Sequence, residues 1–128
     1  MFQVKVDRIK ALVELSLEGR IEVDEIRSCA AELDDVLATV QGREIRLLVD
    51  LRGLKPVAPE VAEVLRRLQE RALDSGVARF AEVVDSELLA LQLGRIARES
   101  GMDRVTRRFT TAADAREWLL QPGLAAAP

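Results

Sequence analysis

The chain contains no histidine, no tyrosine and one cysteine, Cys29. Without histidine it lacks the commonest general base, and without tyrosine a further acid. A lone cysteine excludes an internal disulfide, and with no histidine beside it no metal-ligand spacing is left. No metal and no cofactor is therefore expected. Cys29 falls beside the apolar stripe of a helical segment, where a cysteine packs as a small hydrophobe. No apolar run approaches the ~18 residues of a membrane span. The opening residues, Met1 to Asp7, are too polar for a secretory signal, so a cytoplasmic location is expected. A basic excess is also missing: 19 Lys and Arg stand against 22 Asp and Glu, a net charge of −3. That balance argues against a general nucleic-acid binder, which needs a basic face. Gly53-Leu54-Lys55 lacks the glycine spacing of a phosphate-binding loop.

What is present is the balance of a globular protein: 128 residues, 48% hydrophobic and 32% charged. A chain of this length buries roughly two-thirds of its unfolded surface and needs no covalent staples. Phe2, Val4 and Val6 alternate with polar residues, as do Val13, Leu15 and Leu17, and both runs read as half-buried strands joined in an antiparallel hairpin. Ile26, Ala30, Leu33, Leu37 and Val40 then recur at helical spacing, predicting a first helix over about Val23–Val40 with Gly42 as its left-handed cap. Ile45–Leu51 reads as a buried third strand.

A second helix starts near Pro59, where the missing N–H is not needed, carries Val61, Leu65, Leu68 and Ala72 as its stripe, and ends at Gly76. A fourth strand covers about Arg79–Val84. A third helix runs from Asp85-Ser86 to Gly101, and a short strand over Val105–Phe109 leads to a last helix capped by Thr111, with Asp114 three residues on. The order is ββαβαβαβα: an α/β domain with a mixed, mostly parallel five-stranded sheet and four helices. We place it at residues 1–121, followed by a tail, 122–128, expected to fray.

Three segments stand together: Leu17-Glu18-Gly19-Arg20-Ile21-Glu22 ahead of the first helix, Leu48–Leu54 at the end of the third strand, and Ser86–Gly101 followed by Phe109-Thr110-Thr111. They resemble the STAS family, the domain of bacterial anti-sigma-factor antagonists and sulfate-transporter tails, and within it the SpoIIAA-like group; the first resembles the family's approach to its first helix. Leu48-Val49-Asp50-Leu51-Arg52-Gly53-Leu54 resembles its third strand, which ends in Asp-Leu-Ser-Gly-Val. Ser86–Gly101 and then Phe109-Thr110-Thr111 resemble its carboxyl half. The resemblance implies a non-enzymatic protein-protein interaction module that regulates a partner. Switching members carry Asp-Ser-Ser-Gly after the third strand, and a kinase phosphorylates one of those serines. Here Ala58-Pro59-Glu60-Val61 stands in that place, and no Ser, Thr, His or Cys occurs between Asp50 and Leu65. Binding is then expected to be constitutive. Glu60 carries less charge than a phosphate and suits the first turn of a helix on dipole grounds alone.

The partner is expected on the loop after the third strand, at Asp50, Arg52, Gly53, Lys55, Pro56, Val57, Pro59 and Glu60. Its two prolines pre-order the segment and lower the entropy lost on docking. The third helix carries Leu88, Leu89, Leu91, Leu93 and Ile96 on more than one stripe, which fits a homodimer surface, a slot for a small apolar ligand or lipid beside it, or a plain core helix with a wide apolar face. The carrier alternative requires a closed apolar pocket between the second helix, the third helix and the sheet. A hydrolase alternative requires Asp50 and Asp85, both at strand ends, to converge in a cleft. Arg66, Arg67 and Arg71 on the second helix alternate with Glu63, Glu70 and Asp74 and read as a solvated face of mixed sign.

Overall fold

A computed structural model describes residues 1–122. Five strands, β1 (Phe2–Asp7), β2 (Leu12–Leu17), β3 (Ile45–Asp50), β4 (Val77–Val83) and β5 (Thr106–Phe109), lie in one sheet in sequence order. The β1–β2 pair is antiparallel and every other neighbouring pair is parallel. Between them run α1 (Val23–Ala38), α2 (Pro59–Ser75), α3 (Glu87–Ser100) and α4 (Ala112–Leu119). The expected order and class hold. The expected fraying of 122–128 concerns residues that lie, beyond Pro122, outside the described part.

The sheet is covered unequally. Val13, Leu15 and Leu17 of β2 and Leu47 and Val49 of β3 meet the buried stripes of α1, α2 and α3 in one large core. On the other face, among the described residues, only α4 packs, setting Ala115 and Leu119 against Leu12, Leu48, Ala81 and Val83. Strand β3 is enclosed from both sides, which is why its sequence is an apolar run and not an alternation. The part of this face that α4 leaves open carries Gln3, Lys5, Glu14, Ser16 and Asp50 around a hollow of about 190 Å³.

The helix boundaries follow local chemistry. Pro59 opens α2, and Gly76 closes it at φ +109°. Ser86 accepts the Leu89 N–H at the start of α3, and Thr111 accepts the Asp114 N–H at the start of α4. Gly101 ends α3 in the left-handed region, after which a 3-10 turn, Met102–Val105, precedes β5. One cap departs from expectation. Helix α1 stops at Ala38 with Thr39 as its cap, and Gly42, at φ +87°, serves the turn that follows. The apolar stripe persists through Val40 because Val40 is buried beyond the helix, so periodicity overran the helix end.

Candidate functional site

The loop from β3 to α2 is rigidly built. Asp50 accepts the Arg52 N–H at 3.2 Å and holds the Arg52 guanidinium in a fork, with Nε on Oδ1 at 3.0 Å and Nη2 on Oδ2 at 2.7 Å. That hydrogen bonding keeps the Asp50 carboxyl below the usual carboxylate range. Gly53 follows at φ +82°, a conformation that glycine adopts without strain. Its carbonyl accepts the Gly19 N–H at 3.0 Å, and the Gly19 carbonyl accepts the Lys55 N–H at 3.0 Å, so the β2–α1 and β3–α2 loops form one bridge.

The other end of the loop is fastened to α3. Gln92 donates from Nε2 to the Val57 carbonyl at 2.6 Å and accepts the Val57 N–H on Oε1 at 2.9 Å. This closed pair of hydrogen bonds satisfies both backbone groups of a buried residue. It also locks the loop to the face of α3 that carries Leu88 and Leu91. These two side chains are 64% and 73% exposed, unusual for leucine on a surface of this kind. With Pro56, Gln92 and Arg95 they line a surface hollow of about 280 Å³. Lys55 and Arg95 take part in no ion pair among the described residues.

The sequence expectations divide against this geometry. Arg52, Gly53, Lys55 and Pro56 of the loop and Pro59 and Glu60 at the start of α2 are exposed, with Leu54 and Val57 buried between them. Val57 is a correction: its side chain enters the core and it anchors the loop from within. Asp50 orients Arg52, and its carboxylate faces the open half of the sheet. The apolar set on α3 also splits. Leu89, Leu93 and Ile96 lie at helical spacing on the inner face and are core residues, not a dimer or ligand surface. Only Leu88 and Leu91 point outward. One helix thus shows two apolar stripes for two different reasons. Gln92 and Arg95 were not singled out from sequence, because a glutamine on an exposed-looking turn gives no sign of a partner 35 residues away.

The chemical alternatives lose their geometry. Asp50 and Asp85 line separate hollows, and Asp50 is engaged by Arg52. Cys29 is fully buried, and burial, aided by Glu32 and Glu25, pushes its thiol up to about 12, an unreactive state. An apolar cavity does lie between α2, α3 and the sheet, but its volume is about 40 Å³. That space suits a water molecule or two, against roughly 300–1,000 Å³ for a small-molecule site. On α2, Arg66 binds Glu63 and Glu70, Arg67 binds Glu63, and Arg71 reaches Asp34 of α1, which makes that face self-neutralising. No group of three or more His, Cys, Asp or Glu residues suited to a metal occurs among the described residues.

The sheet thus has one antiparallel edge strand, with α1, α2 and α3 on one face and α4 on the other. Residues 12–120 match the SpoIIAA-like family, and the chain belongs to it. Solved structures agree on the fold. An anti-sigma factor antagonist from Mycobacterium paratuberculosis superposes with a TM-score of 0.60 at 16% identity, covering 93% of this chain and 94% of that one. An uncharacterized protein with a SpoIIAA-like fold from Shewanella loihica gives 0.70 at 19% identity, over 92% and 93%. A STAS domain protein described as an anti-sigma-factor antagonist, from Planctomyces limnophilus, gives 0.62 at 20%, over 92% and 97%. No curated protein matches. Among the described residues no helix is long and apolar enough to cross a membrane.

Proposed function

We propose that this chain is a non-enzymatic protein-protein interaction module, a regulator or scaffold component of the anti-sigma-factor-antagonist kind, whose partner docks on the β3–α2 loop and the adjoining outer face of α3. One observation carries the reading. Leu88 and Leu91 of α3 stand exposed beside Pro56 of a loop that Gln92 and the Gly19 bridge hold in place, with Arg95 lining the same hollow and Lys55 next to Pro56 in the chain. An apolar centre with a charged rim on a pre-ordered support is the usual anatomy of a docking site. The partner chemistry that fits is an apolar side chain seated between Leu88 and Leu91, with carboxylates toward Lys55 and Arg95.

Because no hydroxyl side chain occurs from Leu51 to Val64, this surface is not switched by phosphorylation of its own loop. Binding is constitutive and set by abundance. The test is quantitative co-purification from the source organism, comparing the natural chain with the double variant Leu88→Asp, Leu91→Asp, together with light scattering of each. The proposal expects one protein to be lost selectively from the variant while the mass in solution stays the same. A change only from dimer to monomer would assign the patch to self-association. An unchanged set of partners would remove the patch from function.

A further inference from the structure

We infer that the outer edge of β5 is a second docking surface, separate from the β3–α2 loop, that takes an extended acidic peptide as an added strand. Strand β5 is a sheet edge, and among the described residues nothing pairs with its outer side. The Phe109 carbonyl accepts the Val84 N–H, so Phe109 and Arg107 turn their backbone groups inward. Alternation then leaves the N–H and C=O of Thr106 and Arg108 facing out, ready for an incoming chain.

Three arginines, Arg104, Arg107 and Arg108, lie in or just before this strand, while Asp85, Glu87 and Asp114 line a hollow with Arg108 and Phe109 at its far end. Arg108 spends its charge inward on the buried Glu82 at 3.0 Å. Arg104 donates only to the Gly101 carbonyl and joins no ion pair among the described residues. Arg107 makes neither a hydrogen bond nor an ion pair among them. Its guanidinium instead lies 5.5 Å from the Phe109 ring centroid and 5.9 Å from that of Trp118. Phe109 and Trp118 are half of the four aromatic residues in the chain, counting three Phe and one Trp, and they form a pair at 5.7 Å. Arg79, buried and bonded to the Trp118 and Gln121 carbonyls, lies 5.7 Å from the same indole. Arg107 is therefore pre-positioned over a rigid aromatic support with its donors unmet, which suits a fork to a carboxylate. Cations at a free edge also guard against strand pairing between identical chains. An acidic strand is the one kind that they would admit.

The experiment titrates the nitrogen-15-labelled full chain with the peptide acetyl-EVETEV-amide and, separately, with acetyl-KVKTKV-amide. The inference expects amide shifts confined to Arg104–Thr110 with the acidic peptide alone, slowed exchange of the Thr106 and Arg108 N–H, and weakening by salt. Arg107→Glu should weaken binding roughly tenfold, the size of one lost charge-assisted contact, and Arg107→Lys less, since charge remains without the fork. Arg107 is exposed, so the fold should be retained in both variants. Equal shifts with the basic peptide, shifts centred on the β3–α2 loop, or no shifts at all would each overturn it and leave the arginines as edge guards.

Discussion

The outer faces of α2 and α3 lie side by side and are finished in opposite ways. On α2 every outward arginine has a carboxylate: Arg66 has two, Arg67 shares one of them, and Arg71 reaches across to α1. On α3 the outward residues include two exposed leucines and Arg95, which joins no ion pair among the described residues. Both helices present a full inner stripe to the same core. What separates them is that the outward charges of α2 answer one another and the outward residues of α3 do not. On the proposed reading the face of α3 is where the partner docks.

The sharpest break of the comparison lies within α3 itself. Leu89→Ala should cost about 3 kcal/mol in urea unfolding, as loss of a fully buried leucine does, while Leu91→Ala should fall within about 0.5 kcal/mol of the natural chain. Similar losses at both positions would mean that the two stripes are not distinct. Next in size is Gln92→Leu, which strands the Val57 N–H and carbonyl. A loss of about 1–3 kcal/mol is expected, with faster amide exchange at Val57 and unchanged exchange in α1.

The third test concerns the interior on the α1–α3 side of the sheet, where Glu82 is fully buried and one of its oxygens has no hydrogen-bond partner. Burial raises its pKa above the ordinary carboxylate value, and the Arg108 hydrogen bond only partly opposes this. Between the ordinary value and that raised value the folded protein holds a proton that the unfolded chain has released. The contribution of Glu82 to stability is therefore present in acid and falls as pH rises through that window, with a slope of at most about 1.4 kcal/mol per pH unit. Glu82→Gln should flatten that part of the profile. Asp50 has the opposite sign, because Arg52 lowers its value: its contribution is present above the ordinary carboxylate range and is lost as pH falls through the lowered value. The smallest effect is expected at Arg67→Ala on α2, within about 0.5 kcal/mol and diminished by salt, since exposed helix pairs contribute little.

Much of the fold was legible because local chemistry and pattern agree. Pro59, Ser86, Thr111, Gly76 and Gly101 stand at the helix ends, and strand and helix periods alternate cleanly between them. The end of α1 was misplaced because Val40 stays buried after the helix has stopped. The site was legible only in part. The exposed loop could be placed, since prolines and glycine shape it locally. The direction of Val57, the division of the α3 leucines and the Gln92 clamp depend on how α3 is rotated against a loop far away in sequence, which no local pattern records. The ion pair between Glu82 and Arg108 was hidden for the same reason: a glutamate within a buried strand gives no sign of which neighbour answers it.

The most direct test places a photo-crosslinking residue at Leu91 on α3 and, in a separate sample, at Arg67 on α2, and illuminates each protein in its own cells. The account predicts a discrete crosslinked species to a second protein from position 91 and none from position 67. Crosslinks of equal yield from both helices, or from position 67 alone, would contradict it.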